Sequence, residues 1–234
     1  MAMSEYGCDN ILNQEINVSQ MQAMVLEAAK MIIQHEPELT AIDERIGDGD
    51  HGYGMKEGFS EVYKVLEKSS FTSLYELLKT VGITLVKTMG GASGVIFGTL
   101  FTGGYEVLEN LEVFNARDWI SYLEKGACVI SRRGKCQEGD KTMLDALSEA
   151  INAMKRELSK SASIQDILLA AYDGAVIGME NTKNMRSKLG RSKNFRGKEI
   201  GWPDPGAMSV TYLFKGFLNG YQHWMLENNK NTSN

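Results

Sequence analysis

Apolar residues recur every three or four positions along almost the whole of this 234-residue chain, and only three prolines interrupt it. Met55, Phe59, Val62 and Leu66 form one such stripe; Leu74, Leu77, Val81 and Leu85 form another. Trp119, Leu123, Ala127 and Ile130 follow, then Leu144, Leu147, Ile151, Met154 and Leu158, then Leu168, Tyr172, Ala175 and Met179. This spacing lays each set on one face of an α-helix. Proline breaks helix interiors, and here it stands between the patterns: Pro37 separates two of them, and Pro203 and Pro205 precede the last. Strand-like alternation is scarce. The chain therefore reads as all-α, a bundle of about eight antiparallel amphipathic helices.

With 43% hydrophobic residues, the length suits one well-packed domain, though the usual domain size leaves room for two. We expect a single domain over 17–227, a poorly ordered segment over 1–16 and a polar tail over 228–234. Thirteen methionines fall mostly on the stripes, where they fill core gaps. A formal net charge of −5 gives no support for nucleic-acid binding. The apolar runs are short for a membrane span, and the N-terminus lacks a basic-then-apolar leader. Cys8, Cys128 and Cys136 have no metal-ligand spacing and read as reduced thiols of a cytoplasmic protein, with Cys128 in an apolar helix pattern.

The run Asp43-Glu44-Arg45-Ile46-Gly47-Asp48-Gly49-Asp50-His51-Gly52 is the first candidate site. Its three aspartates repel one another, while the glycines let the backbone turn all three toward one place. A hard divalent cation would neutralise them, and Mg²⁺ suits such oxygen ligands and is commonly shared with substrate phosphates. The stripe beginning at Met55 puts a helix N-terminus, with its free N–H groups, at the same spot. Acidic glycine-rich loops are also ordinary solvated turns. An EF-hand is excluded, because the twelfth position from Asp48 is Phe59 rather than glutamate.

Glycine clusters at 47–54, 90–94, 134–139 and 190–206 fall between the helical patterns, so loops from one end of a bundle can converge on one ligand. Gly90-Gly91-Ala92-Ser93-Gly94 permits close backbone approach, or is simply a glycine C-cap followed by a serine N-cap. Gly134-Lys135-Cys136-Gln137-Glu138-Gly139-Asp140-Lys141-Thr142 nearly mimics a P-loop. Asp140 intrudes before the lysine and the preceding segment is helical, so a P-loop is rejected; Asp140 reads as a helix N-cap. The basic stretch from Lys183 to Lys198 is either a solvated loop or a lid over phosphate. Asp204-Pro205 marks a helix start.

These clusters, in this order, resemble the ADP-binding L subunit of the dihydroxyacetone kinase family, from about Asp43 to the last helix. The residues that carry the likeness are Ile46 to Gly52, Gly90 to Gly94 with Phe97-Gly98-Thr99, Gly139 to Met143 with Asp145, Gly190-Arg191, and Asp204 to Ala207. The resemblance implies a barrel of eight antiparallel helices with nucleotide and two Mg²⁺ ions bound among the loops at one end. It makes Asp43, Asp48 and Asp50 the metal ligands. It places His51, Gly52, Tyr53, Gly54, Ala92, Ser93, Gly134, Met143, Arg191, Asp204, Pro205 and Gly206 around ADP or ATP, with Arg191 the candidate catalytic residue. Gly54 stands where the family often has asparagine, Val95 replaces a common proline, and Ser192 to Arg196 departs from the usual lid sequence.

In that family a separate K subunit holds dihydroxyacetone as a covalent histidine adduct. His35, His51 and His223 have no such context, so the resemblance makes this chain the nucleotide half of an enzyme. In the variant dependent on the phosphotransferase system, bound ADP is rephosphorylated by a phosphohistidine M subunit, and a freestanding L-type chain favours that variant. Two other readings stay open: a subunit of a free-ATP kinase for another ketose, such as erythrulose, and a nucleotide-sensing module that binds a transcriptional regulator.

Overall fold

A computed structural model describes residues 15–231 apart from 109, 110, 112, 161 and 196. Ten α-helices lie among the described residues: α1 Val18–Gln34, α2 Glu36–Ile46, α3 His51–Glu67, α4 Leu74–Met89, α5 Gly91–Thr102, α6 Tyr105–Leu108, α7 Ala116–Gly134, α8 Met143–Leu158, α9 Ile164–Asn181 and α10 Pro205–Asn231. The all-α reading holds. The stripes named above become the core: Met55, Phe59, Val62 and Leu66 of α3 and Leu74, Leu77, Val81 and Leu85 of α4 are all buried. No helix among the described residues is long and apolar enough to cross a membrane.

Local chemistry fixes where the helices begin. Asn17, Asn115, Thr142 and Ser163 each complete a capping box at the start of α1, α7, α8 and α9, satisfying N–H groups that the helix itself leaves unpaired. Pro37 sits in the first turn of α2, where a missing N–H costs nothing. Asp140 is not a cap, contrary to expectation. Thr142 caps α8, while Asp140 accepts the Gln137 N–H at 2.9 Å and pairs with Lys188 at 2.6 Å. Cys128 also differs: it is exposed on α7, because the buried face of that helix runs through Trp119, Leu123, Gly126 and Ile130.

Eight helices form a closed circuit. Each of α1, α3, α4, α5, α7, α8, α9 and α10 packs on the next, and α10 returns to α1. Neighbours run antiparallel where glycines let backbones touch. On α10, a Cβ at Gly216 would fall 2.2 Å from Ala28 Cα, and one at Gly220 2.6 Å from Met24 Cα. Thus α10 advances as α1 retreats. A two-residue antiparallel pairing, β1 Glu15–Ile16 with β2 Phe114–Asn115, ties the entries of α1 and α7 together. Of the segment 1–16, only Glu15 and Ile16 are described, and both lie in that pairing; Asn228 to Asn231 belong to the last turn of α10.

Candidate functional site

An antiparallel circuit sends every second helix off from the same end. Here α3 starts at His51, α5 at Gly91, α8 at Met143 and α10 at Pro205, and those four residues line one cleft of about 840 Å³. Four helix N-termini aimed at one space bring N–H groups and partial positive charge to it, the setting in which anions bind.

The opposite charge lies on the same wall. Asp43, in the last turn of α2, and Asp48 and Asp50, in the turn before α3, offer carboxylate oxygens all within 4.8 Å of one another. The turn is built for this. A Cβ at Gly47 would lie 2.0 Å from Asp43 Oδ1, and Gly49 takes φ +78°, a backbone that side chains resist. Asp43 is buried and its Oδ2 accepts the His51 N–H at 3.1 Å. Burial, aided by the charges of Asp48 and Asp43, pushes the Asp50 carboxyl above the usual carboxylate range. Three crowded hard oxygen donors, two of them exposed, fit a Mg²⁺ ion that shares its remaining positions with phosphate.

Thirteen of the residues expected at the site line the cleft: Asp43, Asp48, Asp50, His51, Tyr53, Gly54, Ala92, Ser93, Met143, Arg191, Asp204, Pro205 and Gly206. Gly52 and Gly134 are not among the lining residues. Gly52 faces inward, where a Cβ would fall 2.2 Å from Thr40 Oγ1, so it seats α3 against α2. Gly134 ends α7, with Cys136 Sγ 3.1 Å from where its Cβ would be. Ser93 is not an N-cap. It lies inside the first turn of α5, which starts from Gly90 at φ +62°.

The cleft holds groups with displaced protonation. Burial pushes His51 down to about 4, leaving a neutral ring whose Nε2 is 2.8 Å from Ser209 Oγ. Burial pushes the Asp204 carboxyl up to about 7, against the pull of the Ala207 N–H and the Lys141 ammonium. Asp204 also caps α10 as expected, its Oδ2 accepting the Ala207 N–H at 2.8 Å. Arg191 reaches over from the α9–α10 connection, its Nε 2.7 Å from Asp48 Oδ2.

Sequence reasoning missed Lys141. It lines the cleft yet is 1% exposed, and its Nζ donates to the carbonyls of Thr182 at 2.5 Å and Trp202 at 2.6 Å. Lysines are almost always surface residues, so only the near-P-loop context drew attention to it. The basic connection is more ordered than a solvated loop. Ser192 is buried, and Lys188 anchors to Asp140.

The chain is thus a helical barrel whose acidic turn and helix N-termini meet in one cleft. The chain belongs to the DAK2 domain family, whose pattern matches residues 45–219. It is 32% identical over 177 residues to the PEP-dependent dihydroxyacetone kinase ADP-binding subunit DhaL of Escherichia coli K12, covering 76% of this chain and 84% of that one. It is 34% identical over 191 residues to the PTS-dependent dihydroxyacetone kinase ADP-binding subunit DhaL of Lactococcus lactis, covering 80% and 89%. The crystal structure of the dihydroxyacetone kinase from C. freundii in complex with AMP-PNP and Mg²⁺ superposes with a TM-score of 0.70 at 26% identity. That match covers 94% of this chain but 37% of the longer kinase chain.

Proposed function

We propose that this chain is the nucleotide-binding, phosphoryl-transferring subunit of a dihydroxyacetone kinase and acts in the cytoplasm. One observation carries the reading most: three carboxylates gathered within 4.8 Å on the wall of a cleft that four helix N-termini enter. The relatives named for ADP binding support it.

Asp43, Asp48 and Asp50 would hold Mg²⁺, with two ions expected. When bound, the cation neutralises phosphate charge and orients the transferring group. The chain does the rest. N–H groups at the starts of α3, α5, α8 and α10 receive phosphate oxygens, with Ala92, Ser93, Met143 and the Asp204-Pro205-Gly206 turn shaping the cleft around ADP or ATP. Neutral His51 keeps positive charge off the ring and, through its backbone N–H, steadies Asp43. Arg191 is the catalytic residue: its guanidinium exchanges Asp48 for the phosphate oxygens and stabilises their charge during transfer. The acceptor is dihydroxyacetone held covalently on a separate K subunit, and a phosphohistidine M subunit of the phosphotransferase system rephosphorylates bound ADP in place.

Mass and metal analysis of the purified protein, followed by dialysis and turnover assays, tests this. Retained ADP with Mg²⁺, and sugar phosphate formed only when K and M subunits are both supplied, is the expected result. Rapid nucleotide loss with ATP-driven turnover would replace the M-dependent cycle by free-ATP exchange. No sugar phosphate from any K partner would reject the kinase reading. A product that changes with the K partner would assign the choice of ketose to that partner.

A further inference from the structure

Between α9 and α10 the backbone makes a long excursion that carries Arg191 at its cleft side. It leaves the barrel at Thr182 and returns at Trp202. The two ends meet over one cation. Lys141 Nζ donates to Thr182 O at 2.5 Å and to Trp202 O at 2.6 Å. Around it, the Gly201 N–H reaches Lys183 O at 2.7 Å, the Asp204 N–H reaches Thr182 Oγ1 at 2.9 Å, and buried Glu199 accepts the Gly197 N–H. The Arg45 guanidinium lies over the Trp202 ring, 4.3 Å from its centroid.

Lys141 is an unlikely place for a cation unless it is needed there. It is 1% exposed, and its backbone takes φ +61°, a left-handed conformation that residues with a side chain rarely adopt. A lysine ammonium has three donors, and two are committed to carbonyls from opposite ends of the same excursion. Next in sequence come Thr142, the cap of α8, and Met143 in the cleft. The fastening point is therefore rigid and belongs to the site wall.

We propose that Lys141 is a positioning residue for Arg191: it pins both ends of the 182–202 excursion to the start of α8 and so fixes where that excursion presents the guanidinium. The proposal rests on the nucleotide-binding reading above. Removing the ammonium takes the lysine donor from both carbonyls at once, leaving Thr182 O with the Met185 N–H alone. The base then opens, and Arg191 loses its place without losing its charge.

A double-mutant cycle on the full chain tests it, with Mg²⁺-ADP affinity measured calorimetrically for wild type, K141M, R191A and K141M/R191A. Amide exchange at Leu189 to Asn194 is followed without nucleotide. K141M is expected to weaken Mg²⁺-ADP about tenfold in the wild-type background, the loss of roughly one charge-assisted contact, and less than twofold in R191A. Exchange at 189–194 should accelerate while α8 and the middle of α10 stay protected. Equal losses in both backgrounds, or unchanged exchange at 189–194, would overturn the proposal, because Lys141 would then support the fold generally. If K141M does not fold, E199A loosens the same excursion from its far side, and the same cycle decides: an effect additive with R191A overturns the proposal. A wild-type chain that binds no Mg²⁺-ADP would defeat the nucleotide reading instead, and the exchange measurement would still decide whether Lys141 orders the excursion.

Discussion

Arg191 Nε lies 2.7 Å from Asp48 Oδ2, so the candidate catalytic cation is paired with a candidate metal ligand. The arginine side chain is 73% exposed, and exposed ion pairs contribute at most about 1 kcal/mol. The pair is thus a parking place, weak enough to be given up to a phosphate. Arg191→Ala should leave the melting temperature within a degree or two while phosphoryl transfer to the sugar falls about 100-fold or more. Calorimetry and a coupled assay with the K partner check both. Wild-type turnover would remove Arg191 from the chemistry.

The three aspartates offer carboxylate oxygens within 4.8 Å of one another. Asp48→Asn and Asp50→Asn should each lose Mg²⁺-dependent ADP affinity by about 100-fold or more, since a hard cation is left with two of three carboxylates. In the ligand-free chain Asp50→Asn should raise the melting temperature slightly, because burial and neighbouring carboxylates disfavour its charged form. Stability and affinity moving in opposite directions is the signature. Undiminished Mg²⁺-ADP binding in both variants would defeat the assignment.

Asp204 gives the ligand-free protein a pH dependence. Its carboxyl rises from 3.8 to about 7 on folding, chiefly through burial. Between those values the folded chain keeps a proton that the unfolded chain has released. Stability from this group is present at low pH and is lost as pH rises through 7, up to about 4 kcal/mol at the limit. Asp204→Asn abolishes that loss and can still accept the Ala207 N–H. Its melting temperature should exceed wild type at pH 8 and converge with it near pH 4. His51 slopes the other way, its stability being lost as pH falls from about 6.5 toward 4, but both proteins share that slope. Parallel curves at all pH values would show that Asp204 is ionised in the fold.

The helices were readable because each buries one stripe, and the acidic turn because its chemistry is local. Asp43, Asp48 and Asp50 lie within eight positions of one another, so spacing alone brings them together. The closed circuit and Lys141 are different in kind. That α10 returns to α1 depends on Gly216 and Gly220 meeting Ala28 and Met24, a contact nearly 200 positions apart with no mark in either segment. Lys141 looks like any lysine after a turn; only the carbonyls of Thr182 and Trp202 make it a buried fastening. Asp140 misled because Thr142, two residues on, offered the capping box with Asp145.

Two glycines at the start of α3 should behave oppositely. A Cβ at Gly52 would meet Thr40 Oγ1 at 2.2 Å, Thr40 N at 2.6 Å and Glu36 O at 2.7 Å, whereas nothing lies within 4 Å of one at Gly54. Gly52→Ala must push α3 away from α2, separating His51 from Asp43. It should cost about 1–3 kcal/mol and weaken Mg²⁺-ADP binding. Gly54→Ala should stabilise by about 0.4–1 kcal/mol through the unfolded chain and helix propensity. Gly54→Asn supplies the side chain the family often carries there and should tighten ADP binding. Urea melts and ADP titrations of the three variants check the ordering.

Removal of ligand should be felt first where the helices start. A ligand that binds only the folded state stabilises it by about 2.7 kcal/mol at 100 times its dissociation constant, so stripping Mg²⁺ and nucleotide should lower the melting temperature accordingly. Asp43, Asp48 and Asp50 then face one another with only Arg191 set against Asp48, and the first turns of α3, α5, α8 and α10 face an open cleft. The apolar stripes touch none of this. Hydrogen exchange on stripped and reloaded protein should therefore show protection gained at 47–54, 90–94 and 190–206, with the middles of α3, α4 and α8 unchanged. Protection gained in the helix middles, with those loops unaltered, would put the ligand elsewhere in the barrel.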